Sequence, residues 1–95
     1  MFKVGVKVHF DAAHLLRAYE GKCRRLHGHR WEVEVVFYGK EVNEKGMIKD
    51  FSDLKKLLAD IVGEYDHNSL TEIPPFDKIN PTAENIAREI YKRLK

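Results

Sequence analysis

The chain has 95 residues, 43% of them apolar and 34% charged, with a formal net charge of +2, which suits one small core under a well-solvated surface. Its basic residues are scattered, without a stripe or interleaved aromatics, which argues against nucleic acid as a partner. No apolar run approaches the ~20 residues that cross a bilayer, and the N-terminus alternates where a signal peptide would carry an apolar block.

The lone cysteine cannot form an internal disulfide and fits a reducing, cytoplasmic setting. A single domain over residues 1–95 is therefore expected, with no membrane partner. A chain this short buries a modest share of its surface, so assembly into a homo-oligomer would help to stabilise it.

Phe2, Val4, Val6, Val8 and Phe10 alternate with Lys3, Gly5, Lys7 and His9. Period two over this length predicts a half-buried strand whose apolar register runs on through Ala12 to His14. The stretch "CRRLHGHRW", Cys23 to Trp31, leads into a second alternation. There His27, His29, Trp31, Val33, Val35 and Phe37 share one parity, with Glu32 and Glu34 opposite. It closes near the polar turn "YGKEVNEKG", and "GMIKDF" predicts a short third strand.

The period then changes. In "DFSDLKKLLADIVGEY" Leu54, Leu57, Leu58 and Ile61 fall at helical spacing, with Ser52 or Asp50 placed to cap the start. "YDHNSLTEIPPFDKINPT" is rich in Pro, Asn and Asp and reads as loop. "PTAENIAREIYKRLK" predicts a second helix with Thr82 as its cap, Ile86, Ile90 and Leu94 on one stripe, and a basic C-terminal turn. Strand, strand, short strand, helix, helix amounts to an α+β chain with an antiparallel sheet.

The alternation carries a geometric consequence. His14 ends the apolar register of the first strand; His27 and His29 begin that of the second. If the strands pair antiparallel, three imidazoles point to one face at one end of the sheet. Three neutral nitrogens with a fourth position open is how catalytic zinc is held, while ligand type alone leaves iron or another divalent ion open. Such rings need nearby carbonyls or side chains to orient them. His9 has the opposite parity and reads as a solvated strand residue.

Cys23 lies among Lys22, Arg24 and Arg25, whose charge favours the reactive thiolate; a lone cysteine also serves as a small hydrophobe. Asp66 and His67 form a carboxylate–imidazole pair that suits a proton relay, or simply a turn.

Together "FDAAH", "CRRLHGH", "GMIKDFSDLK", "YDHNSL" and "PTAEN" resemble the superfamily of 6-pyruvoyl-tetrahydropterin and 6-carboxy-tetrahydropterin synthases, in the family's order and across nearly the whole chain. The three residues between Cys23 and His27 resemble the carboxy-tetrahydropterin branch; the pyruvoyl branch has a longer gap.

The resemblance implies the tunnelling fold (T-fold), an antiparallel sheet with two helices on one face. Subunits of that fold assemble into hexamers of two trimers, with pockets at their interfaces. It implies zinc on His14, His27 and His29, Cys23 as general base, and Asp66 with His67 as its relay. Thr82 and Glu84 would border the pterin, although the cap role explains Thr82 as well. Arg24, with Lys22 and Arg25, would neutralise triphosphate or simply form a solvated basic loop.

The implied reaction is a lyase step. It converts 7,8-dihydroneopterin triphosphate to 6-carboxy-5,6,7,8-tetrahydropterin with release of acetaldehyde and triphosphate, and feeds 7-deazaguanine (queuosine or archaeosine) biosynthesis. The rivals are a 6-pyruvoyl-forming synthase that eliminates triphosphate and a zinc-binding homologue with impaired catalysis. Family members continue into a final strand whose glutamate anchors the pterin; the sequence ends at Lys95, so the expected sheet lacks that strand.

Overall fold

The two alternating stretches form strands β1 (Phe2–His14) and β2 (His27–Gly39) in the computed structural model, which describes residues 1–17 and 25–94. They pair antiparallel from end to end, Phe2 opposite Gly39 and His14 opposite His27. The register sets apolar against apolar: Val4 faces Phe37, Val6 faces Val35, Val8 faces Val33 and Phe10 faces Trp31. Cross-strand pairs of this kind stabilise a hairpin by roughly 0.2–1 kcal/mol each. On the other face Lys7 Nζ lies 3.6 Å from the Glu32 carboxylate and 3.7 Å from that of Glu34, all exposed, where screening leaves ion pairs little energy.

Helix α1 (Phe51–Gly63) starts at Asp50, whose Oδ1 accepts the Ser52 and Asp53 N–H groups at 2.7 and 3.4 Å. Of the two predicted caps, Asp50 is the one used. Leu54, Leu58, Ile61 and Val62 are buried, whereas Leu57 is 42% exposed. The buried stripe turns toward Val62 and leaves Leu57, expected in it, at the margin.

Helix α2 (Ala83–Leu94) begins at Thr82, whose Oγ1 accepts the Asn85 N–H at 3.1 Å, as a capping residue should. Ile86 and Ile90 are buried, and Leu94 packs against the core from its edge. An Arg93–Glu64 ion pair ties the end of α2 to that of α1. Both helices cover the apolar face of the hairpin, with Val6, Phe10, Leu54, Leu58, Ile61, Ile86 and Ile90 in one cluster. Among the described residues no helix is long and apolar enough to cross a membrane.

Two expectations need correction. "GMIKDF" is not a strand: the chain from 41 to 50 is turns and bends. Asn43 Oδ1 accepts the Lys45 and Met47 N–H groups at 2.9 and 3.1 Å, its own N–H meets the Met47 carbonyl at 2.8 Å, and Gly46 has φ 80. A segment closed on itself has no ladder to offer. It lays Ile48 over Gly39 so closely that a Cβ there would stand 2.9 Å from the Ile48 side chain.

The stretch read as loop is irregular, with a 3₁₀ turn at Leu70–Glu72, yet it belongs to the core. Leu70 and Phe76 are fully buried, as are Tyr65 and Pro81, and Tyr65 packs on Phe10 at 5.7 Å and on Phe76 at 5.9 Å between ring centroids. The stretch also runs along the outer edge of β1. His67 N–H donates to the Asp11 carbonyl at 2.7 Å, Ala13 N–H to that of Asn68 at 3.1 Å, and Ala13 bridges Ser69 in parallel.

Candidate metal centre

The apolar row of the hairpin ends in imidazoles. Beyond Phe10 and Trp31 the next inward pairs are Ala12 opposite His29 and His14 opposite His27, and the small Ala12 leaves room for the rings. Ring centroids of His14, His27 and His29 lie 4.6–5.3 Å apart. One nitrogen from each falls within 4.8 Å of the other two, the one such cluster among the described residues. Nitrogens on a tetrahedral ion at ~2.0–2.1 Å sit roughly 3.3 Å from one another, so small ring adjustments close the trio on a cation.

Backbone carbonyls set the tautomers. His14 Nδ1 lies 2.8 Å from the Pro81 carbonyl and His27 Nδ1 2.6 Å from that of Arg25. A carbonyl only accepts, so each Nδ1 carries the proton and each Nε2 keeps its lone pair free for a metal. His14, 5% exposed, is held below the ordinary imidazole value of 6.5. Burial is the main cause, opposed by the Pro81 carbonyl and reinforced by repulsion from His27 and His29. Keeping this ring neutral is what ligation requires. The donor set, three imidazoles with two orienting carbonyls, therefore fits a divalent ion with an open coordination position.

Trp31 walls the site. Its ring meets His14 edge-on at 4.9 Å and stands 5.6 Å from His29, and its Nε1–H donates to the Ala12 carbonyl at 3.3 Å. Beside it opens a cleft of about 580 Å³ lined by His14, His29, Trp31, Arg30, Thr82 and Glu84. Thr82 and Glu84, expected near a ligand, thus line the same cleft as His14 and His29.

Asp66 and His67 lie elsewhere. Asp66 Oδ1 accepts the Asp11 N–H at 2.9 Å, and Oδ2 stands 3.6 Å from His67 Nε2. His67 has φ 58 and an exposed side chain, and the pair sits on the outer edge of β1, outside the cluster of ligand nitrogens. Cys23 and Arg24, with Lys22, fall outside the described residues.

Sequence reasoning missed the Pro81 carbonyl, the Arg30 side of the cleft and the wall formed by Trp31. Only Trp31 carried a signal, since it continues the parity of His27 and His29.

The family model described as 6-pyruvoyl tetrahydropterin synthase matches residues 3–95. The chain is 37% identical over 120 residues to a 6-carboxy-5,6,7,8-tetrahydropterin synthase of Haemophilus influenzae, covering 100% of this chain and 83% of that protein. It is 35% identical over 98 residues to one of Bacillus subtilis, covering 98% and 65%. It is 43% identical over 86 residues to a dihydroneopterin monophosphate aldolase of Pyrococcus furiosus, covering 90% and 68%. The structure of Caenorhabditis elegans 6-pyruvoyl tetrahydropterin synthase superposes with a TM-score of 0.85 at 30% identity, over 99% of this chain and 76% of that one. The fold is the expected tunnelling fold, and the chain belongs to the 6-pyruvoyl tetrahydropterin synthase family.

Proposed function

We propose that the chain, one tunnelling-fold domain over residues 1–95, is a zinc-dependent lyase of the cytoplasm. It would convert 7,8-dihydroneopterin triphosphate and one water to 6-carboxy-5,6,7,8-tetrahydropterin, acetaldehyde and triphosphate, a step toward 7-deazaguanine nucleosides. The observation that carries this reading is three converging imidazoles, two of them with Nε2 left free by a carbonyl on Nδ1, beside an open cleft that His14 and His29 line. The names of the Haemophilus and Bacillus relatives, and the three residues between Cys23 and His27, favour the carboxy product.

Zinc, when bound, supplies Lewis acidity to the substrate's side-chain hydroxyls. Cys23 takes the proton as thiolate, and His67, oriented by Asp66, exchanges protons with it. Thr82 and Glu84 meet the pterin in the cleft, while Arg24 and its basic neighbours neutralise phosphate.

A homo-oligomer, a hexamer with pockets at subunit interfaces, belongs to the reading. His67 is exposed on the edge of β1, open to a neighbouring copy. The partners are the pterin triphosphate and other copies of the chain, without nucleic acid or membrane.

The test is product analysis. Zinc-loaded protein given 7,8-dihydroneopterin triphosphate should release acetaldehyde and a carboxylated pterin, detected by coupled alcohol dehydrogenase and by mass. Triphosphate release with a 6-pyruvoyl product would assign the other branch. Turnover of the monophosphate alone would favour the activity named for the Pyrococcus relative.

A further inference from the structure

His14 and the carbonyl that orients it are 67 positions apart, so nothing local keeps them together. The contacts that do so meet at one side chain. Asn80 grips the backbone of Arg17 from both sides: its Oδ1 accepts the Arg17 N–H at 2.8 Å and its Nδ2 donates to the Arg17 carbonyl at 2.9 Å. A neighbouring strand would offer the same two bonds; here one amide supplies both.

Arg17 returns the hold. Its guanidinium donates to the carbonyls of Thr71 at 3.0 Å, Phe76 at 2.8 Å and Ile79 at 3.4 Å, and Leu15 N–H donates to Thr71 Oγ1 at 3.1 Å. The chain just after His14 is thus laced to the chain just before Pro81. From the other side the Asn80 carbonyl accepts the Thr82 N–H at 2.9 Å and the Asn85 Nδ2 at 2.8 Å. Pro81 itself is fully buried. Its ring fixes φ and the Thr82 N–H bond to the Asn80 carbonyl restrains ψ, so once Asn80 is pinned the Pro81 carbonyl has little freedom of aim.

We infer that Asn80, acting through its two-sided grip on the Arg17 backbone, is the positioning residue of the metal centre. It holds the Pro81 carbonyl on His14 Nδ1 and so presents the Nε2 of the buried ligand to the ion. The inference rests on reading His14, His27 and His29 as the zinc site. Partners that orient a ligating histidine are worth about 10–100-fold in metal affinity, and Asn80 acts one residue removed from such a partner.

Two measurements on the full chain test it. The first needs no metal: two-bond ¹⁵N–¹H correlation of the imidazoles in the metal-free protein at neutral pH. The unchanged protein should show His14 protonated at Nδ1. Asn80→Ala should move it to a mixture that includes the Nε2–H form, while Arg93→Ala, which breaks the ion pair with Glu64 between the helix ends, should leave the pattern alone. The second is zinc affinity by chelator competition, expected to fall about 10–100-fold in Asn80→Ala and to stay unchanged in Arg93→Ala.

Should Asn80→Ala fail to fold, Asn80→Asp keeps the acceptor for the Arg17 N–H, loses the donor and should show the same changes in part. A His14 tautomer and a zinc affinity unmoved by either substitution overturn the inference and leave the metal site standing. An unchanged protein that binds no zinc overturns the reading of the trio as a zinc site, and the inference with it, whatever the tautomer does.

Discussion

Replacing His29 with alanine separates ligation from folding. The side chain is exposed and touches the rings of His14, His27 and Trp31; across the ladder it faces only Ala12. Losing an exposed ring of this kind costs the metal-free fold about 0.5 kcal/mol or less. Zinc binding should suffer far more. Four-ligand sites bind zinc with about 10–16 kcal/mol, on the order of 2.5–4 kcal/mol per ligand, and each 1.4 kcal/mol is about tenfold. The affinity of His29→Ala should therefore drop about 10²–10³-fold in a chelator competition, while the urea midpoint of the metal-free protein hardly moves. His9→Ala is the control: His9 stands on the opposite face, across from Glu32, and should change neither quantity. A loss of affinity below tenfold in His29→Ala, or an equal loss in His9→Ala, would refute convergence of the trio on one ion.

Three further outcomes follow from the fold. Phe76→Ala removes a fully buried ring and should cost about 3–5 kcal/mol in urea denaturation; a cost under about 1 kcal/mol would mean that the irregular stretch is not core. Asp50→Ala should cost about 1 kcal/mol through the lost cap of α1, and Ser52→Ala should cost much less. Because burial lowers the His14 pKa in the folded state, the unfolded chain takes up the proton first. Stability of the metal-free protein is then full above about pH 6.5 and declines as pH falls from there through the folded pKa. Urea midpoints across that window should fall on acidification and flatten in His14→Asn; midpoints that rise would contradict the burial of this ring.

Most of the site was legible because strands write their register into the sequence. Once Val6, Phe10 and His14 share a parity and Trp31, His29 and His27 share another, one antiparallel pairing puts the imidazoles together. The helices were legible for the same reason at a different period. What escaped notice has no period. Tyr65, Leu70, Phe76 and Pro81 are buried in a stretch whose prolines and asparagines read as surface loop, and the Pro81 carbonyl reaches His14 from a distant part of the chain. Backbone acceptors leave no mark in residue identity. "GMIKDF" misled in the opposite way: its apolar residues cover the end of the hairpin through Ile48 on Gly39, a packing task that needs no ladder.

The imidazoles occupy the same row of the ladder as the core side chains, and this ties correct assembly of one to the other. Sliding β2 by a single residue would turn Val33, Val35 and Phe37 to solvent along with both of its histidines. A misaligned hairpin thus forfeits its apolar contacts before it can present a faulty ligand set. Folding itself proofreads the metal centre, and any chain stable enough to persist already has its three rings on one side.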